Sequence, residues 1–304
     1  MAKKFISTKM KMFMFVLLLL SIAFYTTGCI TLVQSGYKLS DYTDELNINP
    51  NPFRFDVNLF DFNDSYISKD YTLNDNITEI DLNLTSQDIK VEKYAGQTLK
   101  VQIKNSGSVS GELPETEDGN KLILSTGYDT PGNARISVSI PNNFMNKGSL
   151  KLVTSSSDIT ISNLSLDTLS ISTASGDINV SNLNLNYFNL NSSNGNIHFS
   201  NISTENETKL ASSSGSIIGN GNLGKVTANT TSGDMVLHFE DSLKNSSLSS
   251  VSGDITLSLQ KDLGYKINYE TNSGDLNSYN GKLSAGDESS IINVNTTSGD
   301  LVIK

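Results

Sequence analysis

From residue 150 onward, apolar and polar residues alternate in short runs that keep restarting, as in "SISTASGDINVSNL" at 170–183. Each restart carries Ser-Gly-Asp or a variant of it. Aligned on the last residue of that tripeptide, the anchors are Asp158, Asp177, Asn196, Ser216, Asp234, Asp254, Asp275 and Asp300, at spacings of 19, 19, 20, 18, 20, 21 and 25. Six positions before the anchor stand Leu152, Ile171, Leu190, Leu210, Ala228, Leu248, Tyr269 and Val294. One position after it stand Ile159, Ile178, Ile197, Ile217, Met235, Ile255, Leu276 and Leu301. The third position after it reads Ile161, Val180, Phe199, Gly219, Leu237, Leu257, Ser278 and Ile303. Side chains of a strand alternate between two faces, so each repeat contains two period-2 strands. The inward parity changes at the anchor, so the chain turns there. Gly supplies a permissive backbone for the turn and Asp can accept hydrogen bonds from nearby amides.

Two short strands cannot bury an apolar face alone, whereas stacked coils can, each strand pairing in parallel with its equivalents above and below. A near-constant period of this length signals a solenoid. The expected fold is all-β: a parallel β-solenoid of about eight coils of 18–25 residues, right-handed by the crossover rule. Four positions before the anchor every repeat has a hydroxyl residue, from Thr154 to Thr296, at an inward position. Asn163, Asn182 and Asn201 form a second column at the far corner. Both are expected to satisfy themselves along the stacking axis, as buried polar groups require. Residues 77–149 contain further strand-like runs, "ITEIDLNLTSQDIKVEKY", "KLILS" and "ARISVSIP", read as irregular β-strands preceding the repeats.

The N-terminus changes the setting. Residues 1–28 combine Lys3, Lys4, Lys9 and Lys11 with an apolar run from Met12 to Tyr25, the layout of a secretory signal. The run is short for a membrane span. Thr26-Thr27-Gly28-Cys29 is similar to the lipobox of bacterial lipoproteins, with Thr where Leu is usual. That resemblance implies cleavage before Cys29 and acylation of its sulfur, so that membrane lipid becomes a partner through this anchor. An uncleaved N-terminal anchor is the alternative. The expected organisation is a signal peptide at 1–28, a lipidated Cys and tether at 29–76, an N-terminal β-region at 77–149 and the solenoid at 150–304. Either anchor places the remainder outside the cytoplasm.

The anchor, the "IDLNLTSQDIKVEKYAGQTLKVQIK" segment, the "ISVSIP" strand and the tandem "SGDI"-like coils together resemble the bacterial putative-adhesin β-solenoid family over residues 77–304. The resemblance implies an extracytoplasmic solenoid with an adhesion or envelope role. It carries over no catalytic or binding residue.

Composition and charge narrow the chemistry. The chain has 304 residues, 22 basic against 32 acidic side chains and a formal charge of −10, and only Arg54 and Arg135 are arginines. Phosphate-binding surfaces rely on Arg and Lys, so nucleic acid is an unexpected partner. Envelope proteins or cationic components are the expected ones. The anchor column reads as structural turns, although Asp234 and Asp254 could share a weakly held calcium ion. His198 and His238 stand at outward positions about two coils apart and make no catalytic dyad. No cofactor is implied. The reading is a non-enzymatic, adhesin-like surface protein; a carbohydrate-active β-helix enzyme and a purely structural, envelope-stress-associated scaffold are the alternatives.

Overall fold

The computed structural model describes residues 65–105, 113–126, 134–260, 262–278 and 281–304. The leader, Cys29 and the tether lie outside the described residues. The chain divides into two compact units, and nearly all described residues belong to the one made of Tyr66–Lys104 and Val109–Lys304. The architecture below is that unit's.

It is an all-β, open sheet assembly. Its first strands are β1 (Ser65–Tyr71), β2 (Glu79–Asn83), β3 (Asp88–Tyr94), β4 (Leu99–Asn105), β5 (Glu115–Asp118), β6 (Lys121–Ser125) and β7 (Arg135–Pro141). A 3-10 turn, Asn142–Phe144, leads to β8 (Ser149–Thr154) and then to three long strands. These are β9 (Ile159–Thr173), β10 (Ile178–Ser192) and β11 (Ile197–Ser212). Shorter strands follow: β12 (Ile217–Asn222), β13 (Lys225–Thr230), β14 (Met235–Phe239), β15 (Ser246–Ser250) and β16 (Ile255–Leu259). The chain ends with β17 (Tyr265–Thr271), β18 (Leu276–Ser278), β19 (Ser284–Ala285), β20 (Ser290–Thr296) and β21 (Leu301–Ile303).

Pairing is parallel and in register through the middle. Ile178 of β10 stands between Ile159 and Ile197, and Leu190 between Ile171 and Leu210. These side chains are fully buried or nearly so, and they make a continuous core of equivalent apolar residues from one coil to the next.

Three expectations are corrected. First, β9, β10 and β11 do not split into two strands. Each runs on past a corner at Asn163, Asn182 or Asn201, whose φ values of 60, 55 and 52° are left-handed. A left-handed residue reverses the pleat, so burial resumes at Leu164 and Leu166 with shifted parity and shifts again before Leu169. These coils therefore have a third side. Second, residues 77–149 hold regular coils of the same stack. β2 pairs in parallel with β8, and β3 with β9.

Third, the stack does not follow chain order at either end. β2 and β3 lie between β6–β7 and β8–β9. At the other end β15 and β16 pair with β20 and β21, which in turn pair with β17 and β18. The last coil, 290–303, is thus inserted between the coils at 246–259 and 265–278. The coil of Tyr269, Leu276 and Ser278 is left at the edge, and Leu276 is 42% exposed where its equivalents are buried. Antiparallel strands close both edges in part: β4 on β7, β5 on β6, and the two-residue β19 on β17. Covering edges in this way limits uncontrolled strand pairing.

Candidate interaction surface

The turn column comes first, because it holds most of the recurring polar chemistry. The anchor side chain accepts a hydrogen bond from the backbone N–H of the next anchor in the stack. Asp158 Oδ1 receives Asp177 N at 2.9 Å, Asp177 receives Asn196 at 2.8 Å and Asn196 receives Ser216 at 3.0 Å. Asp234 receives Asp254 at 3.0 Å, Asp254 receives Asp300 at 2.8 Å and Asp300 receives Asp275 at 2.7 Å. The ladder itself therefore records the inserted coil.

The glycine before the anchor is required by proximity, not only by backbone freedom. A Cβ on Gly253 would lie 2.0 Å from the carbonyl oxygen of Gly233, and one on Gly299 equally close to that of Gly253. Only Gly176 of this column has a left-handed φ, at 107°. The hydroxyl column departs in part from expectation: Thr154 donates along the stack to Thr85 O at 2.7 Å, whereas most of the others bond within their own turn. Ser192, Ser212, Thr230, Ser250 and Thr271 accept from the N–H of Gly195, Gly215, Gly233, Gly253 and Gly274 at 2.8–3.0 Å. The Asn corner does bond along the axis: Asn182 Nδ2 donates to Asn163 Oδ1 at 3.2 Å, and Asn201 to Asn182 at 2.8 Å.

Asp88 belongs to the anchor column as well. β3 pairs it into the stack, and Ile89 N donates to Asp158 O at 2.9 Å. The segment "TSQDIKV" at 85–91 matches "SSSDITI" at 155–161 in register, which was the available signal. Buried Gln87 stands where the Asp158 coil has Ser157 and the later coils have Gly. Its Oε1 accepts from Thr85 and Ser86 N–H at 3.3 Å. Burial, and then the neighbouring Asp158 charge, push the Asp88 carboxyl above its ordinary value against the pull of Arg135.

The outward face of β9, β10, β11, β12 and β14 carries both histidines. His198 is half-buried on β11 and His238 exposed on β14, with β12 between their strands. They flank a shallow, open groove of about 500 Å³. A local irregularity adjoins it. Gly219 occupies an inward position without a side chain, and the ring of Phe199 from the preceding coil fills the vacant volume. A Cβ there would meet that ring at 2.3 Å. Phe199 in turn packs edge-on against Phe188, 5.8 Å between centroids. The register then slips between Phe199 and Ile202, and Gly221 takes a φ of 150°. No group of three His, Cys, Asp or Glu side chains among the described residues is placed to hold a metal ion.

An open, all-β stack of parallel coils whose recurring polar side chains serve its own corners defines a repeat-built, all-β protein by class. The chain belongs to the Toastrack DUF4097 family, whose model matches residues 77–304. No curated protein matches it. Three solved structures are similar. One is a putative adhesin of Bacteroides fragilis, at 15% identity and TM-score 0.49, covering 79% of this chain and 97% of that one. Another is a putative lipid binding protein of Parabacteroides distasonis, at 18% and 0.48, with the same coverage. The third is a putative cell adhesion protein of Clostridium sporogenes, at 14% and 0.33, covering 79% and 99%.

Proposed function

We propose that this chain is a non-enzymatic, adhesin-like interaction protein of the bacterial envelope, held to the membrane through Cys29 and presenting its coil faces outside the cytoplasm. The observation that carries this reading is the engagement of the anchor and hydroxyl columns inside the turns. What faces outward is a broad set of Ser, Thr and Asn columns, surfaces suited to recognition along a repeat. The two histidines stand a strand apart and diagonal to each other, so neither has the other as an acid–base partner. A net charge of −10 disfavours polyanions and favours uncharged or cationic envelope components.

Two measurements test it. Metabolic labelling with a radioactive fatty acid should mark the full chain. Cys29→Ser should lose both the label and the membrane fractionation; a variant that stays in the membrane would instead support the uncleaved anchor. Purified full-length chain should bind isolated envelopes saturably, and the absence of saturable binding would sink the adhesin-like reading.

A further inference from the structure

We propose that the groove between His198 and His238 is a binding site for neutral oligosaccharide, an inference that rests on the chain being an interaction protein. The site adjoins an irregularity. Gly219 stands between Phe199 and Leu237 in its inward column, and directly after it the pairing of β11 with β12 slips. The floor is apolar: Ile218 is 41% exposed and Val236 lies beside it in the next coil. The rim offers hydrogen bonds from Asn179, Ser181, Ser200 and Asn220. Asn220 is held in place, its Nδ2 donating to Glu240 Oε1 at 2.6 Å, which leaves its Oδ1 to accept.

Charge selects the ligand. No Asp, Glu, Lys or Arg lines the groove, and the chain as a whole is acidic. A cationic ligand would find its nearest carboxylate, Glu240, already engaged by Asn220, and an anionic one would be repelled. An apolar strip flanked by two flat imidazoles and rimmed by amides and hydroxyls suits a molecule with an apolar ring face and a hydroxyl edge. A pyranose has both. A few placed polar groups around an apolar floor are the usual anatomy of small-ligand sites. The coil spacing of about 4.8 Å repeats the outward columns along the axis, so successive sugar units of an oligomer can meet successive coils.

The test is calorimetric titration of the full-length chain with β-1,4-linked glucose and N-acetylglucosamine oligosaccharides, with polygalacturonate as the charged contrast. Saturable binding of at least one neutral series at about millimolar dissociation constants is expected, with none of polygalacturonate. Ile218→Asp, at an exposed outward position, should weaken binding at least tenfold, His238→Ala several-fold, and Asn229→Asp on another face not at all. Unchanged thermal melts keep the comparison one of binding. The proposal is overturned if no neutral oligosaccharide saturates, if polygalacturonate binds as well, or if Ile218→Asp and His238→Ala bind like the unsubstituted chain. Envelope adhesion separates the two readings. Adhesion without any oligosaccharide binding overturns the groove alone, whereas an unsubstituted chain that adheres to nothing overturns the broader function.

Discussion

At the scale of single residues, the turn glycines and the acidic ladder carry opposite sensitivities. Gly253→Ala would drive a methyl to 2.0 Å from the Gly233 carbonyl oxygen, a backbone clash that no rotamer relieves. Stability should fall by about 3 kcal/mol or more, read as a lowered unfolding temperature. Gly219→Ala differs because its obstacle is a side chain. Overpacking of that kind costs about 1–3 kcal/mol, and combining it with Phe199→Leu should recover part of the loss. Asp88 sets a pH dependence. Its folded carboxyl has a raised pKa, so its contribution is fully favourable below the unfolded value, about 3.9, and is lost as pH rises through the folded one. Asp88→Asn keeps an acceptor for the neighbouring amide without the charge. It should raise the melting temperature at neutral pH, and its advantage should vanish in acid.

At the scale of elements, the coil corner and the coil interior respond differently. Asn182→Val must place a β-branched residue at a φ of 55° and lose two amide bonds of the Asn ladder. A loss of about 1–3 kcal/mol is expected, with Asn182→Gly milder because Gly adopts that φ freely. Leu301→Ala should cost about 2–5 kcal/mol, as for any filled core position, while Leu276→Ala, its exposed equivalent in the edge coil, should cost far less. The comparison shows how much was legible in the sequence. Inward columns such as Ile178 and Ile255 were readable because a period of two admits only one buried parity. The third side of β9, β10 and β11 was hidden because the reversal at Asn163 depends on φ, which the hydropathy pattern does not record. The groove was hidden for a related reason. Gly219 reads as an interruption of its column, and only packing shows that Phe199 occupies its place.

At the scale of the whole unit, stacking order was not legible at all. Val294 and Leu301 fit above Leu248 and Ile255 as well as they would at the end, so either order satisfies the same alternation. Cysteine pairs can test the order found. In a Cys29→Ser background, Ser249→Cys with Asn295→Cys joins direct neighbours in the stack and should oxidise readily. Ser249→Cys with Glu270→Cys spans two coil spacings, about 9.6 Å, beyond disulfide reach, and should stay reduced. A disulfide in the second pair alone would restore chain order.

The inserted coil has a mechanical consequence. Tension applied at Lys304 does not peel an edge. It must draw the coil of 290–303 out from between two neighbours, breaking its hydrogen bonds to both together. A stack laid down in chain order would instead unzip from that end one coil at a time, at low force. Single-molecule pulling should therefore show a high first rupture, after which the exposed coils separate more easily.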